Sequence, residues 1–374
     1  MRVLFLGPGH NGIARGRVAP FLEDEGLEAL WISTEPFPPA FLERYPRLRV
    51  AVLPRARLRG SRLARRLFLH TADYLAEVGW TLRRFRPDVI HVHYLSQLDA
   101  LALQGVRRVP IVVTVMGADV LAEQVPRPLP LDLAVRRILR RAAAVTAKSR
   151  FLAQACRDLG ARNVLHLPWG IDTARFQPAA REEAQRALGL DPARRWLVSC
   201  RALQPLYNHA PLLEALGELE DPPALAFVRH APAPDYAERL ERRAVALGLS
   251  ARWLPPQSNA AMPQLYAAAD LVASLPASDG LPQTLLEAMA CERATLSLDL
   301  EAYRELPFAP AALTRVAHRE GEPDHGALVA GLREALAPQP ERDEALAAAR
   351  QWVRENAELS ESVARVRALY RSLS

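Results

Sequence analysis

The sequence is short of cysteine, of lysine and of long apolar runs, and each shortage closes off a class of protein. Its three cysteines, Cys156, Cys200 and Cys291, are too far apart for a metal-ligand spacing and too few and odd for a disulfide framework, which points to a reducing compartment. The longest apolar stretch, residues 110–122, contains Asp119 and falls short of the ~20 residues that a spanning helix needs. The apolar start at 1–6 is cut at once by Gly7-Pro8-Gly9, too short for the core of a secretion signal. No Gly-x-Ser-x-Gly elbow occurs, so a serine hydrolase has no support. Lys148 is the only lysine, so the formal charge of +6 is almost wholly arginine. A GC-rich genome explains that bias, together with the many Ala, Leu and Pro residues. Aromatics make up only 6% and the arginines are scattered, which argues against a nucleic-acid partner.

What is present is an ordinary globular chain. Half of its 374 residues are hydrophobic and 24% are charged, which excludes wholesale disorder. The length favours two domains of roughly 100–200 residues each. Short apolar runs alternate with helix-length segments. Strands are expected at 2–7, 28–33, 50–54, 88–93, 111–115, 143–147 and 163–167, then, after the punctuation Pro168-Trp169-Gly170-Ile171-Asp172 and Pro178, at 196–200, 224–228, 251–254, 271–274 and 294–297. The nearly all-apolar runs at 88–93 and 111–115 suit a parallel sheet covered on both faces. Two helical stretches follow Pro338 and Pro340. The fold class expected is α/β, two Rossmann-like domains facing a cleft, with ligands at the carboxyl ends of the strands.

The densest chemistry lies in Ser278-Asp279-Gly280-Leu281-Pro282-Gln283-Thr284-Leu285-Leu286-Glu287-Ala288-Met289-Ala290, just after a strand. Pro282 suits the first turn of a helix, whose amide groups and dipole would face the sheet edge and favour a phosphate. Glu287 falls within the apolar run of that helix and needs hydrogen-bond donors there. Ribose or sugar hydroxyls would serve, and so would an arginine inside the domain. His91 and His93 share one face of a strand, but no third metal ligand is visible nearby. Cys156 reads as a small hydrophobe in a helix. Six arginines between 55 and 66 alternate with leucines up to Leu69, a pattern that fits either an anionic membrane surface or a solvated face.

The stretch from Asp279 to Glu287 resembles the Glu-x7-Glu signature of the retaining glycosyltransferases of family 4, with Asp279 in place of the first Glu. Other segments are similar to that family in the same order: Pro87-Asp88-Val89-Ile90-His91-Val92-His93, Thr114-Val115-Met116-Gly117-Ala118-Asp119, Ala147-Lys148-Ser149, Leu167-Pro168-Trp169-Gly170-Ile171-Asp172 through Phe176, and Arg201 after the first strand of the second half. The resemblance implies the GT-B fold. It sets an N-terminal acceptor domain over 1–175, joined by a C-terminal helix at 358–374, against a nucleotide-sugar domain over 176–357.

It implies, further, a nucleotide-diphosphate sugar as co-substrate, transfer of a hexose-type sugar with retention to a glycan or lipid-linked acceptor, and no required metal or other cofactor. The catalytic candidates are Asp279 on the transferred sugar, Glu287 on the ribose and Arg201 on the leaving diphosphate. Gly280, Leu281, Pro282, Thr284, Tyr207, Arg229 and His230 would line the donor site, with backbone at 254–259 setting the base. Gly9, His10, His93, Met116 and Asp119 would lie on the acceptor side. A cytoplasmic location, peripheral at the inner membrane face, follows from the same resemblance. Three departures touch the site. No lysine stands in Leu203-Gln204-Pro205-Leu206-Tyr207-Asn208 where the family has one for the diphosphate, and Arg229 and His230 are the candidate substitutes. Met116 replaces a histidine that contacts the donor sugar, with His10 or His93 as the candidates to approach it instead. Gly7-Pro8-Gly9-His10-Asn11-Gly12 lacks the usual double glycine. These departures leave two alternatives: a GT-B protein that binds nucleotide or a partner without catalysis, and an epimerase or phosphorylase on the same fold.

Overall fold

A computed structural model of the protein describes residues 1–52, 63–121 and 128–374, without the side chains of 63–70. The arginine-rich segment that begins at Arg55 lies outside the described residues, apart from the backbone of the helix Leu63–Phe85. The chain forms two compact units, one of Met1–Trp169 with Glu361–Ser374 and the other of Gly170–Ser360.

The first unit is built on a sheet of seven strands: β1 Arg2–Leu6, β2 Glu28–Ser33, β3 Arg49–Val52, β4 Val89–His93, β5 Ile111–Thr114, β6 Ala144–Ala147 and β7 Val164–His166, in the order β3-β2-β1-β4-β5-β6-β7. Every pairing is parallel. Each of β4, β5 and β6 is buried along its whole length, because helices cover both faces and leave no polar side to alternate with. That is why these strands read as unbroken apolar runs. Local chemistry sets the helix starts. Asn11 caps Gly12–Leu22 by accepting from the amides of Ile13 and Ala14, Ser96 and Asp99 form a capping box, and Ser149 accepts from Leu152 N–H. Leu359–Leu373 is the last helix. Its inner face reaches back into the first sheet, with Tyr370 fully buried against Phe21 and bonded to His91.

The second unit repeats the design with β8 Trp196–Ser199, β9 Ala224–Val228, β10 Ala251–Leu254, β11 Leu271–Ser274, β12 Thr295–Leu298 and β13 Leu313–Val316, ordered β10-β9-β8-β11-β12-β13 and again parallel throughout. The sequence reading has five strands here and misses β13, where Arg315 interrupts the apolar run. Arg315 gives its guanidinium to the carbonyls of Leu306, Phe308 and Tyr303, so the charge is accommodated at a sheet edge. In each sheet the chain order reverses once, between β1 and β4 and between β8 and β11. In sheets of this kind such a reversal is where loops diverge at the carboxyl ends and ligands bind.

Candidate functional site

At the β8/β11 edge the structure brings Arg201, Tyr207, Asp279, Gly280 and Thr284 together. Arg201 stands just beyond β8, and its Nη2 donates to Asp279 Oδ2 at 3.1 Å while Nη1 donates to Thr284 Oγ1 at 3.3 Å. The Tyr207 ring lies 4.4 Å from the guanidinium, a cation–π contact. Burial alone would lower the Arg201 pKa; Asp279, helped by Tyr207 and Tyr303, outweighs it and holds the cation above its usual range. Asp279 turns its other oxygen back to the Gly280 amide at 2.6 Å.

Pro282 caps rather than begins the helix Gln283–Ala290, and no side chain caps that helix. Pro282 offers its first-turn amides no side-chain acceptor, and they present the positive end of the dipole. The loop that carries Tyr207 is pinned by Asn208, in left-handed backbone (φ 50°), whose Nδ2 donates to the carbonyls of Leu275 at 2.9 Å and Gly321 at 2.8 Å.

Glu287 sits one turn into the helix, and its carboxyl is pushed up by burial. An arginine partner was one expectation for it. The hydrogen-bond partner found is Tyr266, whose hydroxyl donates to Glu287 Oε2 at 2.6 Å. Cys200 Sγ lies 3.3 Å from the same hydroxyl. Tyr266 and Cys200 are site residues that the sequence reading passes over, because Tyr266 lies in an Ala-rich run that looks only like core. Arg229 is not gathered in. Its guanidinium pairs with Glu241 on the helix Tyr236–Ala246 and is exposed. His230 is exposed too and contributes its carbonyl to Leu203 N–H.

The β1/β4 edge is arranged differently. Gly7 has φ 145° and a Cβ there would meet the His93 carbonyl at 2.3 Å; at Gly9 it would meet the Phe37 ring at 2.4 Å. Both glycines are needed for packing alone. A cavity of about 300 Å³ opens beside them, lined by His10, Asn11, Glu35, Tyr94 and Asp99 among others. Of the five residues expected on this side, His10 lines it, 3.0 Å from Glu35. Gly9, His93, Met116 and Asp119 are not among its described lining residues. Asp119 is spent on its own turn, accepting from the amides of Leu95, Met116 and Gly117 at 2.9–3.1 Å.

The group that meets Met116 is Arg17, with Nη1 on Met116 Sδ. Arg17 is 1% exposed, and its pKa is lowered to about 9 by burial, against the pull of Asp119. The signal was present in the sequence: Ala14, Arg17, Val18 and Phe21 are the buried residues of Gly12–Leu22, an i, i+3, i+4, i+7 stripe with an arginine in it.

Two family models cover nearly the whole chain. Residues 17–175 match Glycosyltransferase Family 4 and residues 180–352 match Glycosyl transferases group 1. The chain belongs to glycosyltransferase family 4. Its curated relatives include the D-inositol 3-phosphate glycosyltransferase of Actinosynnema mirum, 30% identical over 297 residues (72% of this chain and 66% of that one), and its namesake from Mycolicibacterium gilvum, 29% identical over 223 residues (54% and 49%). The match thus spans about half to two thirds of those relatives' own length. Among solved structures, sucrose-phosphate synthase of Thermosynechococcus elongatus superposes with a TM-score of 0.80 at 18% identity, covering 100% of this chain and 99% of that one. The Anabaena protein HepE in complex with UDP-glucose gives 0.76 at 19%, with both chains covered fully. The fold of this family 4 chain is therefore GT-B, two Rossmann-like α/β domains. In the first half, Met116 is backed by Arg17.

Proposed function

We propose that the second unit holds a nucleotide-diphosphate sugar at the β8/β11 edge, and that the protein transfers the sugar to a glycan or lipid-linked acceptor bound by the first unit, with retention. The observation that carries this reading is Arg201, held by Asp279, Thr284 and Tyr207 beside an uncapped helix start. Cleavage of the sugar–phosphate bond loads negative charge onto the leaving diphosphate. A fixed guanidinium and backbone amides aimed at that charge stabilise the transition state more than the ground state. In this reading Arg201 is the cation at the leaving group and no metal is invoked. The leaving phosphate oxygen takes the acceptor's proton, Asp279 holds hydroxyls of the transferred sugar, and Glu287 holds the ribose. The names of the curated relatives support glycosyl transfer, and the UDP-glucose bound in HepE supports the donor class.

A second reading, nucleotide binding without transfer, is favoured by the absence of lysine in 203–208 and by Met116. Thermal unfolding with UDP, GDP, ADP and their sugars separates the two. A ligand at about 100 times its Kd stabilises by about 2.7 kcal/mol. We expect a shift with one base, lost in Glu287→Ala, followed by nucleotide release from the matching sugar donor. A shift without turnover on any acceptor would leave the binding-only reading.

A further inference from the structure

We propose that Tyr266 is a positioning residue of the nucleotide site, which occupies one oxygen of Glu287 and thereby aims the other at a ribose hydroxyl. The inference rests on the donor-site reading above. Tyr266 is fully buried on the helix Met262–Ala267, and its ring packs 6.0 Å from Phe176. Its hydroxyl lies between two elements of the site: Glu287 of the helix Gln283–Ala290 on one side and Cys200, directly before Arg201, on the other.

A phenol has one proton to give. At 2.6 Å it goes to Glu287 Oε2, so the Cys200 thiol is the donor toward the phenol oxygen. The order thiol to phenol to carboxylate is thereby fixed. Burial raises the pKa of both the thiol and the phenol, which keeps both protonated and the relay intact at neutral pH. A carboxylate free to spin would offer either oxygen. Pinned through Oε2, it offers Oε1 alone, in one direction, and a single well-placed acceptor recognises one hydroxyl of a diol rather than polarity in general. Losing a partner for such a buried group is costly, so the pinned oxygen should discriminate between ribose and deoxyribose.

The test measures binding of uridine, guanosine and adenosine diphosphates and their 2′-deoxy and 3′-deoxy forms to the full chain, and carries forward the base that binds. Tyr266→Phe keeps the ring and removes only the oxygen. We expect it to weaken the ribonucleotide about 5- to 10-fold and one deoxy form less than about 2-fold, so that discrimination collapses. In turnover, KM for the donor should rise while kcat changes less than about 2-fold. Unchanged discrimination overturns the proposal. Should Tyr266→Phe not fold, Tyr266→Met also removes the hydroxyl, fills the space adaptably and is read in the same way. Glu287→Gln separates the layers. If it keeps wild-type discrimination, or if no nucleotide binds the wild type, the donor-site reading fails and this inference with it. If Glu287→Gln loses discrimination and Tyr266→Phe does not, only the role of Tyr266 falls.

Discussion

The two sheets reverse their strand order at equivalent places, yet the arginine near each crossing is treated in opposite ways. At the β8/β11 edge Arg201 is met by a carboxylate, a hydroxyl and an aromatic face. Its side chain and that of Asp279 are 16% and 11% exposed, enclosed but reachable. Near the β1/β4 edge Arg17 has no room to reach solvent. It has a thioether for a partner, Trp169 lies 5.4 Å away, and Nε and Nη2 make no hydrogen bond. His93 beside it has neither ring nitrogen bonded, and burial with His91 and Arg17 pushes its pKa well down. One topology therefore supports a charge that is partnered and preorganised, and another that is buried at a cost. Only the first suits charge stabilisation during a reaction, since a cation must face the ligand to act on it.

The largest effect expected is on turnover. Arg201→Ala should lower it by about 10²–10³-fold, the scale of losing one donor to a developing anion. Arg17→Met, assayed beside it, should cost less than about 10-fold. If the two losses match, the contrast between the edges is wrong and Arg17 belongs to the reacting site.

A second effect concerns stability and its sign. Arg17 has a pKa lowered to about 9, well below the ordinary arginine range. The folded chain therefore binds this proton more weakly than the unfolded chain does. The resulting penalty is full below about pH 9 and fades as pH rises from there toward the ordinary arginine range, so this group's contribution improves with pH. Replacing a poorly partnered buried charge by an apolar group of similar length is often neutral or stabilising by about 1–4 kcal/mol. We expect Arg17→Met to unfold at higher denaturant than wild type at pH 7, with the gap narrowing by pH 10. A gap that does not move with pH would mean that the charge of Arg17 is not what the substitution removes.

Much of this fold could be read from the residues because parallel strands buried on both faces announce themselves as short apolar runs. Ala224–Val228 and Leu271–Ser274 begin and end where that pattern does. β13 escaped because Arg315 breaks its apolar run with a charge, which the carbonyls of the segment just before the strand accept. At the candidate site, Asp279, Gly280 and Glu287 were legible because a strand, a turn and a helix follow one another within about twenty residues. Tyr266 was not, since its partner lies on another helix, and a hydroxyl–carboxylate bond across 21 positions leaves no local trace. The pairing of Arg229, just after β9, with Glu241 was equally hidden, because that partner lies on the next helix.

The smallest effect sharpens the comparison within the first unit alone. His91 and His93 stand two apart on β4, both buried, with rings 4.0 Å apart. His91 is answered on both nitrogens, by Tyr370 on Nδ1 and by Thr114 Oγ1 at 2.7 Å on Nε2, and the chain continues through Thr146 to the Trp169 indole. Burial, with Arg17 adding to it, lowers the His91 pKa to about 3, so it is neutral when folded. As pH falls from 6.5 toward 3, the unfolded chain takes up a proton that the folded chain refuses, and stability drains away over that window. Tyr370→Phe removes one end of this network and leaves Nδ1 buried and unbonded, which should cost about 1–3 kcal/mol in denaturant unfolding at pH 7. If the loss is absent, the last helix is held by the packing of Tyr370 on Phe21 rather than by its hydroxyl, and His91 is no better served than His93.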